Sequence, residues 1–236
     1  MVHRAAYNHL TYMEIALSIL FGGLITVLTA IGVEYLRRPK LRLSIEEKPC
    51  DVTNGEGSPA RNSRFVRLKL RNEPLWRWAR WMERATALGC HGEITFHHLD
   101  GQKVFFGRAM AVRWSGLPVA QAIVSLEDGK IHSQIIDVDR PNTAPRIDVY
   151  AGEEEILDVA VRFDDEPECY GWNNDGYSHK WRNPNWKLPR GRYLVKVVIA
   201  SSGQKCTGLY RLVNNVDNRT DFRLEAALAE DWKKVR

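Results

Sequence analysis

The sequence predicts a mainly β protein: a β-sandwich domain carried behind a single N-terminal transmembrane α-helix. Three observations point there. Residues 15–33 are nineteen uncharged, mostly apolar positions between Glu14 and Glu34. At about 1.5 Å of rise per residue they span roughly 28 Å, close to the hydrocarbon thickness of a bilayer. Downstream, short segments alternate apolar and polar residues with the period of a half-buried strand, and long helical patterns are scarce.

The chain divides into a short N-terminal segment (1–14), a transmembrane helix (15–36), a basic juxtamembrane linker (37–40), a β-sandwich domain (41–220) and a short amphipathic helix or tail (221–236). The apolar run exceeds the core of a signal peptide and is followed by Arg37, Arg38, Pro39 and Lys40 rather than a small-residue cleavage site, so it reads as a retained anchor. Before it lies Arg4; after it come Arg37, Arg38, Lys40 and Arg42. Basic residues near a span stay on the cytoplasmic side, which predicts a C-terminal domain in the cytoplasm, held at the inner (plasma) membrane, with Arg37, Arg38 and Lys40 against lipid headgroups. Tyr7, Tyr12 and Tyr35 suit the interfaces at the helix ends. Within the span, Ser18, Gly22, Thr26 and Ala30 recur every four residues. They line one face with small side chains, along which a second copy of the helix could pack into a homo-oligomer.

In the soluble part, strands are expected at 41–45, 65–70, 92–99, 103–106, 146–149, 156–163, 193–200 and 208–213. The 41–45 segment, Leu-Arg-Leu-Ser-Ile, alternates cleanly; in 65–70 either Phe65 or Val66 joins Leu68 and Leu70 on the buried face. Residues 52–64, rich in Asn, Gly, Ser and Pro, form a connection, and residues 99–102 a turn. Phe222, Leu224, Ala227, Leu228 and Trp232 suggest a short amphipathic helix over 221–235. Eight or so such strands separated by turn residues make a sandwich.

The 236 residues carry a net charge of +5 with basic and acidic side chains interspersed. About 195 residues follow the anchor, enough for one domain with a real core. The cysteines Cys50, Cys90, Cys169 and Cys206 are widely spaced and form no Cys-x-x-Cys pair, so in a cytoplasmic domain they are free thiols. Outside the cell, two disulfides in any of three connectivities are open to them.

The succession Arg64-Phe65-Val66-Arg67-Leu68-Lys69-Leu70-Arg71-Asn72, Ala87-Leu88-Gly89-Cys90-His91-Gly92-Glu93-Ile94, Val112-Arg113-Trp114 and the segment from Ile147 to Val159 resembles a pattern that recurs in uncharacterised prokaryotic membrane-anchored proteins. Gly171-Trp172 and the segment from Leu188 to Val197 fit it as well. The resemblance covers about residues 62–213 and implies an immunoglobulin-like sandwich; it brings no catalytic residue with it. The chain departs from the pattern around 75–84 and over 117–145.

The first departure holds Trp76, Arg77, Trp78, Arg80, Trp81 and Arg84 within nine residues. As a helix it would gather Leu75, Trp78, Trp81 and Met82 on one face. Such a segment can lie in the membrane headgroup layer, meet a protein partner, or fold over the sandwich's own core. A stacking surface for single-stranded nucleic acid is disfavoured, since no recognised nucleic-acid motif accompanies it.

Catalytic and metal constellations are thin. His91, Glu93, Thr95 and His97 share one face of a predicted strand, with Cys90 and His98 on the other, so they do not converge on one metal. The acidic runs at 153–155 and 164–168 lack calcium-loop spacing. Residues 169–177 mix aromatics, amides and glycines as either tight turns or a binding rim. Asn218-Arg219-Thr220 is a glycosylation sequon, idle in the cytoplasm. No cofactor is expected, and enzyme function is disfavoured. The expected function is a membrane-bound binding, adaptor or sensor module; the alternatives are an effector whose helices assemble on ligand binding and breach the bilayer, and a tethered hydrolase.

Overall fold

The structure is a computed structural model. It describes all residues except Met1, Pro49, 54–61, Arg80, Gln102, 118–121, 128–129, 136–144, Asp165 and Arg236. Side chains are described outside residues 1–16, 118–144 and Ser178.

In chain order the elements are α1 (Val2–Arg37), β1 (Leu41–Ile45), β2 (Cys50–Val52), β3 (Ser63–Asn72), β4 (Ala87–His98), β5 (Met110–Ala111), β6 (Arg113–Trp114), β7 (Ala122–Glu127), β8 (Lys130–Ile135), β9 (Ile147–Val149), β10 (Glu154–Phe163), β11 (Cys169–Gly171), α2 (Asp175–Ser178), β12 (Lys187–Leu188), β13 (Arg192–Ser201), β14 (Gln204–Val213), β15 (Arg223–Ala226) and α3 (Asp231–Lys234). They form two compact units: Met1–Pro39 with Pro74–Ala85, and Lys40–Glu73 with Thr86–Arg236.

The second unit is a sandwich of two antiparallel sheets. One runs β1-β3-β10-β11-β12, with β2 also on β3 and β6 on β10; the other runs β15-β14-β13-β4-β5, with β9 on β4. A separate ribbon pairs β7 with β8, Ala122 opposite Ile135. Alternation along the strands builds the layer between the sheets. Val66, Leu68 and Leu70 of β3 meet Ile94 and Phe96 of β4 and Val195, Val197 and Ile199 of β13 there, with Trp114 fully buried among them. Phe65 takes the opposite phase and packs outside the sheet with Val161, Phe163, Tyr170 and Trp172. A β-bulge between Asp158 and Ala160 shifts the register of β10 against β3.

Seven of the eight expected strands are present; β3, β4, β10, β13 and β14 run longer than expected, β1 keeps its bounds and β9 is one residue shorter. The segment 103–106 is not one of them: Val104 makes an isolated bridge to His97. Phe105 and Phe106 instead turn both rings into an aromatic stack with Phe96, Tyr193 and Trp186, at centroid distances of 5.0–5.7 Å. Neighbouring residues of a strand point to opposite faces, so two adjacent rings in one cluster require a turn. The helix expected over 221–235 is also replaced. Arg223-Leu224-Glu225-Ala226 alternates with period two and adds a strand to β14, Leu224 opposite Leu212, leaving only α3 helical. The N-terminal helix begins at Val2 rather than at residue 15, and its 36 residues extend over about 54 Å.

Two polar devices close the sandwich. At the start of β13, Tyr193 donates its hydroxyl hydrogen to the Pro189 carbonyl at 2.8 Å. Gly191 permits this: a Cβ there would stand 3.2 Å from the Tyr193 oxygen. At the C-terminus, Asp231 accepts two hydrogen bonds from Arg211, at 2.6 and 2.9 Å, and one from the Leu228 amide at 2.9 Å. That clasp places Val235 over Leu194 and Leu209 on the outer face of the second sheet.

Tyr193→Phe keeps the ring against Phe105 and deletes one buried hydrogen bond. The Pro189 carbonyl retains the Asn214 amide at 3.3 Å, so the expected cost is about 1 kcal/mol, read as a lower urea midpoint with unchanged slope. The Arg211 guanidinium holds the Asp231 carboxyl down at about 2, against 3.8 in an open chain. A lowered folded-state pKa gives stability that is present above the unfolded value and is lost as pH falls through the folded one. Asp231→Asn therefore lowers the thermal midpoint at neutral pH, and the gap from wild type closes as the pH is lowered through about 4 to about 2.

Candidate membrane-contact site

The first unit gathers most of the residues expected to meet lipid. Within α1, the span Leu17–Arg37 is 21 residues with a mean hydropathy of 1.9, and none of its apolar window is buried. Among the described residues this is the one helix long and apolar enough to cross a membrane. Ser18, Gly22, Thr26 and Ala30 all stand exposed, and a Cβ at Gly22 would meet nothing within 4 Å. The Thr26 hydroxyl donates to the Gly22 carbonyl of its own helix at 2.8 Å, so what this face presents is shape rather than a free hydrogen-bond donor.

A helix leaves its last four carbonyls without intrahelical partners. Here the Pro74–Ala85 segment supplies donors just at that end: the Ala85 amide reaches the Arg37 carbonyl at 2.7 Å, and the Arg84 guanidinium reaches the Arg38 carbonyl at 2.5 Å. A cation at a helix C-terminus also meets the negative end of the dipole. Arg38 itself lies 5.9 Å from the Tyr35 ring centroid.

The described residues of the segment do not form an amphipathic helix. Only Arg77–Ala79 forms a single 3-10 turn, closed by the Ala79 amide on the Trp76 carbonyl and continued by Met82 on Ala79, both at 2.9 Å. Leu75 and Ala79 are the residues it buries, while Trp76, Trp78 and Trp81 remain 64, 67 and 78% exposed. The grouping of Leu75 with Trp78, Trp81 and Met82 on one face is thus overturned: docking through Arg84 and Ala85 selects a turn that buries its small and aliphatic residues and turns the large rings out. Trp76 and Trp78 stack at 5.9 Å with planes 26° apart. Arg77 is exposed beside them; Arg80 lies outside the described residues.

Lys40 belongs to the sandwich unit rather than to the unit that holds α1 and Pro74–Ala85. Its ammonium pairs with Glu73 at 2.7 Å and its amide donates to the Asn72 side chain at 3.1 Å. Lys40 draws the Glu73 carboxyl below its usual range.

The other sequence candidates resolve into structure. Residues 169–177 form β11 and lead into α2, and their rings fill the outer face of the first sheet instead of a rim. Trp172 contacts Phe65, Tyr177 and Trp181 at 4.9–5.2 Å, or through Phe65 to Trp181 at 5.7 Å. Arg113 stacks over Tyr177 at 4.8 Å, and Asp158 is held by Arg67 at 2.7 Å and by the Ser115 hydroxyl at 2.8 Å. His97 is buried with Nε2 3.0 Å from the Thr95 hydroxyl, and burial lowers its pKa. Among the described residues no cluster of three or more His, Cys, Asp or Glu side chains is placed to hold a metal. The sequence reading missed one cavity, about 350 Å³ in volume, between the strand edges at Glu46, Val66, Arg67, Phe222 and Leu224. Nothing local in those residues announces it, because it lies along β3 between the residues that pair with β1 and those that pair with β2.

No known protein family, curated protein or solved structure matches this chain.

Arg84→Ala removes the donor to the Arg38 carbonyl. Amide exchange in Pro74–Ala85 of the detergent-solubilised protein should rise several-fold, the loss of about 1 kcal/mol locally, while β13 and β14 keep their protection.

Proposed function

We propose that the protein is a single-pass membrane protein whose sandwich, on the cytoplasmic side of the plasma membrane, acts as a binding, adaptor or sensor module. The observation that carries this reading is the apolar helix: a span of twenty-one residues of high hydropathy, none of whose apolar window is buried among the described residues, is stable in hydrocarbon and costly in water. The cytoplasmic orientation draws its support from Arg37, Arg38, Lys40 and Arg42 after the span against Arg4 before it.

An immunoglobulin-like assignment for the sandwich is supported by two features. The sheet orders β1-β3-β10 and β14-β13-β4-β5 correspond to the A-B-E and G-F-C-C′ arrangement. Tyr193, bonded from the start of β13 to a backbone carbonyl four residues upstream, matches the tyrosine corner of such domains. A binding role is favoured over catalysis because the groups best suited to chemistry are engaged in holding the fold. Asp158 and Asp231 are locked by arginines. Burial drives the Cys90 thiol up to about 11 and Cys169 higher still, which keeps both protonated and poorly nucleophilic.

A cysteine at Ser44, exposed on the edge strand β1, tests the reading in the full chain. With Ser44→Cys expressed in a bacterial host, an impermeant maleimide should label the position only after the membrane is opened, and the protein should resist alkaline carbonate extraction. Labelling in intact cells overturns the orientation; extraction overturns the anchor.

A further inference from the structure

We propose that the C-terminal end of α1 and the Pro74–Ala85 segment together form a plate that lies in the headgroup layer and selects anionic phospholipid. This rests on the anchor reading above and adds the chemistry of the lipid. Depth is the first argument: Arg37 follows Val33, the end of the apolar run, by four residues, or about 6 Å of helix, which is the level of the headgroups. Attachment is the second. Bonds from Ala85 and Arg84 to the Arg37 and Arg38 carbonyls fix the segment to that level of the helix.

Exposure is the third argument. Trp76, Trp78 and Trp81 present three large rings outward and Tyr35 is likewise exposed, while the segment buries Leu75 and Ala79. Three outward tryptophans within six residues are costly against water. At the membrane interface, where an apolar ring and a polar N–H are both satisfied, they are favoured. Charge is the fourth. Residues 34–39 and Pro74–Ala85 hold five arginines, two glutamates and no other ionisable groups apart from Tyr35. The guanidinium forks a phosphate in a way that ammonium does not. The surplus of arginine therefore matches an anionic leaflet, with tryptophan setting depth and arginine setting lipid preference.

The full chain reconstituted into phosphatidylcholine vesicles separates the possibilities. A low, equal fraction of lipid brominated near the top of the acyl chain is added, either as phosphatidylcholine or as phosphatidylglycerol. Fluorescence of the wild type is compared with Trp76→Phe/Trp78→Phe/Trp81→Phe, in which Trp114, Trp172, Trp181, Trp186 and Trp232 remain as an internal reference for quenching outside the segment. The expected result is quenching confined to the three substituted rings and at least about twofold stronger with the brominated phosphatidylglycerol. Arg37→Gln/Arg38→Gln/Arg77→Gln should erase that preference while the protein still floats with the vesicles. Floating protein whose three rings are unquenched overturns the plate and points to a protein or nucleic-acid partner for it. Equal quenching by both lipids overturns the anionic selectivity. Protein that does not float at all overturns the anchor, and this proposal with it.

Discussion

Burial of the layer between the two sheets is the interaction on which the soluble part depends. Leu68, Leu70, Ile94, Phe96, Trp114, Leu157 and Val197 reach zero exposure only when β3 and β10 face β4 and β13, so neither sheet stands without the other. The strands concerned are distant in sequence, and their pairing must close long loops before any burial rewards it. Once the layer is formed, the end of the sandwich at the start of β1 is set by Asn72. Its side chain accepts from the Lys40 amide and donates to the Val149 carbonyl, each at 3.1 Å, and its carbonyl accepts from Gly152 at 2.7 Å. One fully buried amide thus ties the start of β1, the end of β9 and the turn before β10.

The outer faces of the two sheets are closed by different chemistry. On the first, an aromatic cluster of Phe65, Trp172, Tyr177 and Trp181 sits beside the Arg67–Asp158 pair, and Gly176 lets α2 press onto Trp172, where a Cβ would come within 2.7 Å of the ring. Two residues of that cap, Lys180 and Trp181, take left-handed backbone angles of +50° and +71°, a conformation unfavourable for a large side chain. The ring contacts of Trp181 hold it there. On the second sheet the C-terminal clasp through Arg211 and Asp231 covers Leu194 and Leu209. In both devices a buried carboxylate is paired with an arginine, because an unpaired carboxylate in such a place costs far more than the contact returns.

The unit that holds the apolar helix follows a similar logic. Its helix satisfies every interior backbone group within itself, which is the condition for crossing hydrocarbon, and leaves unsatisfied carbonyls only at the end. Arg84 and Ala85 answer those carbonyls from a segment that is 46 residues removed from Arg38 along the chain. The same bonds decide which way the tryptophans point.

The sequence by itself determined the mainly β class, the apolar helix and most of the long strands, because apolar run length and a period of two are local properties that survive whatever packs against them. It also showed the Trp and Arg concentration at 76–84. What only the tertiary structure decided was everything set by partners distant along the chain. The absence of a strand at 103–106 depends on rings from Phe96, Tyr193 and Trp186. The strand in place of a C-terminal helix depends on the open edge of β14. The loop 169–177 became a cap because Phe65 offers it an apolar floor, and the Trp/Arg segment became an outward-facing turn because the helix end offered it two carbonyls. In each case local propensity permitted more than one conformation, and burial or a hydrogen bond across the fold selected among them.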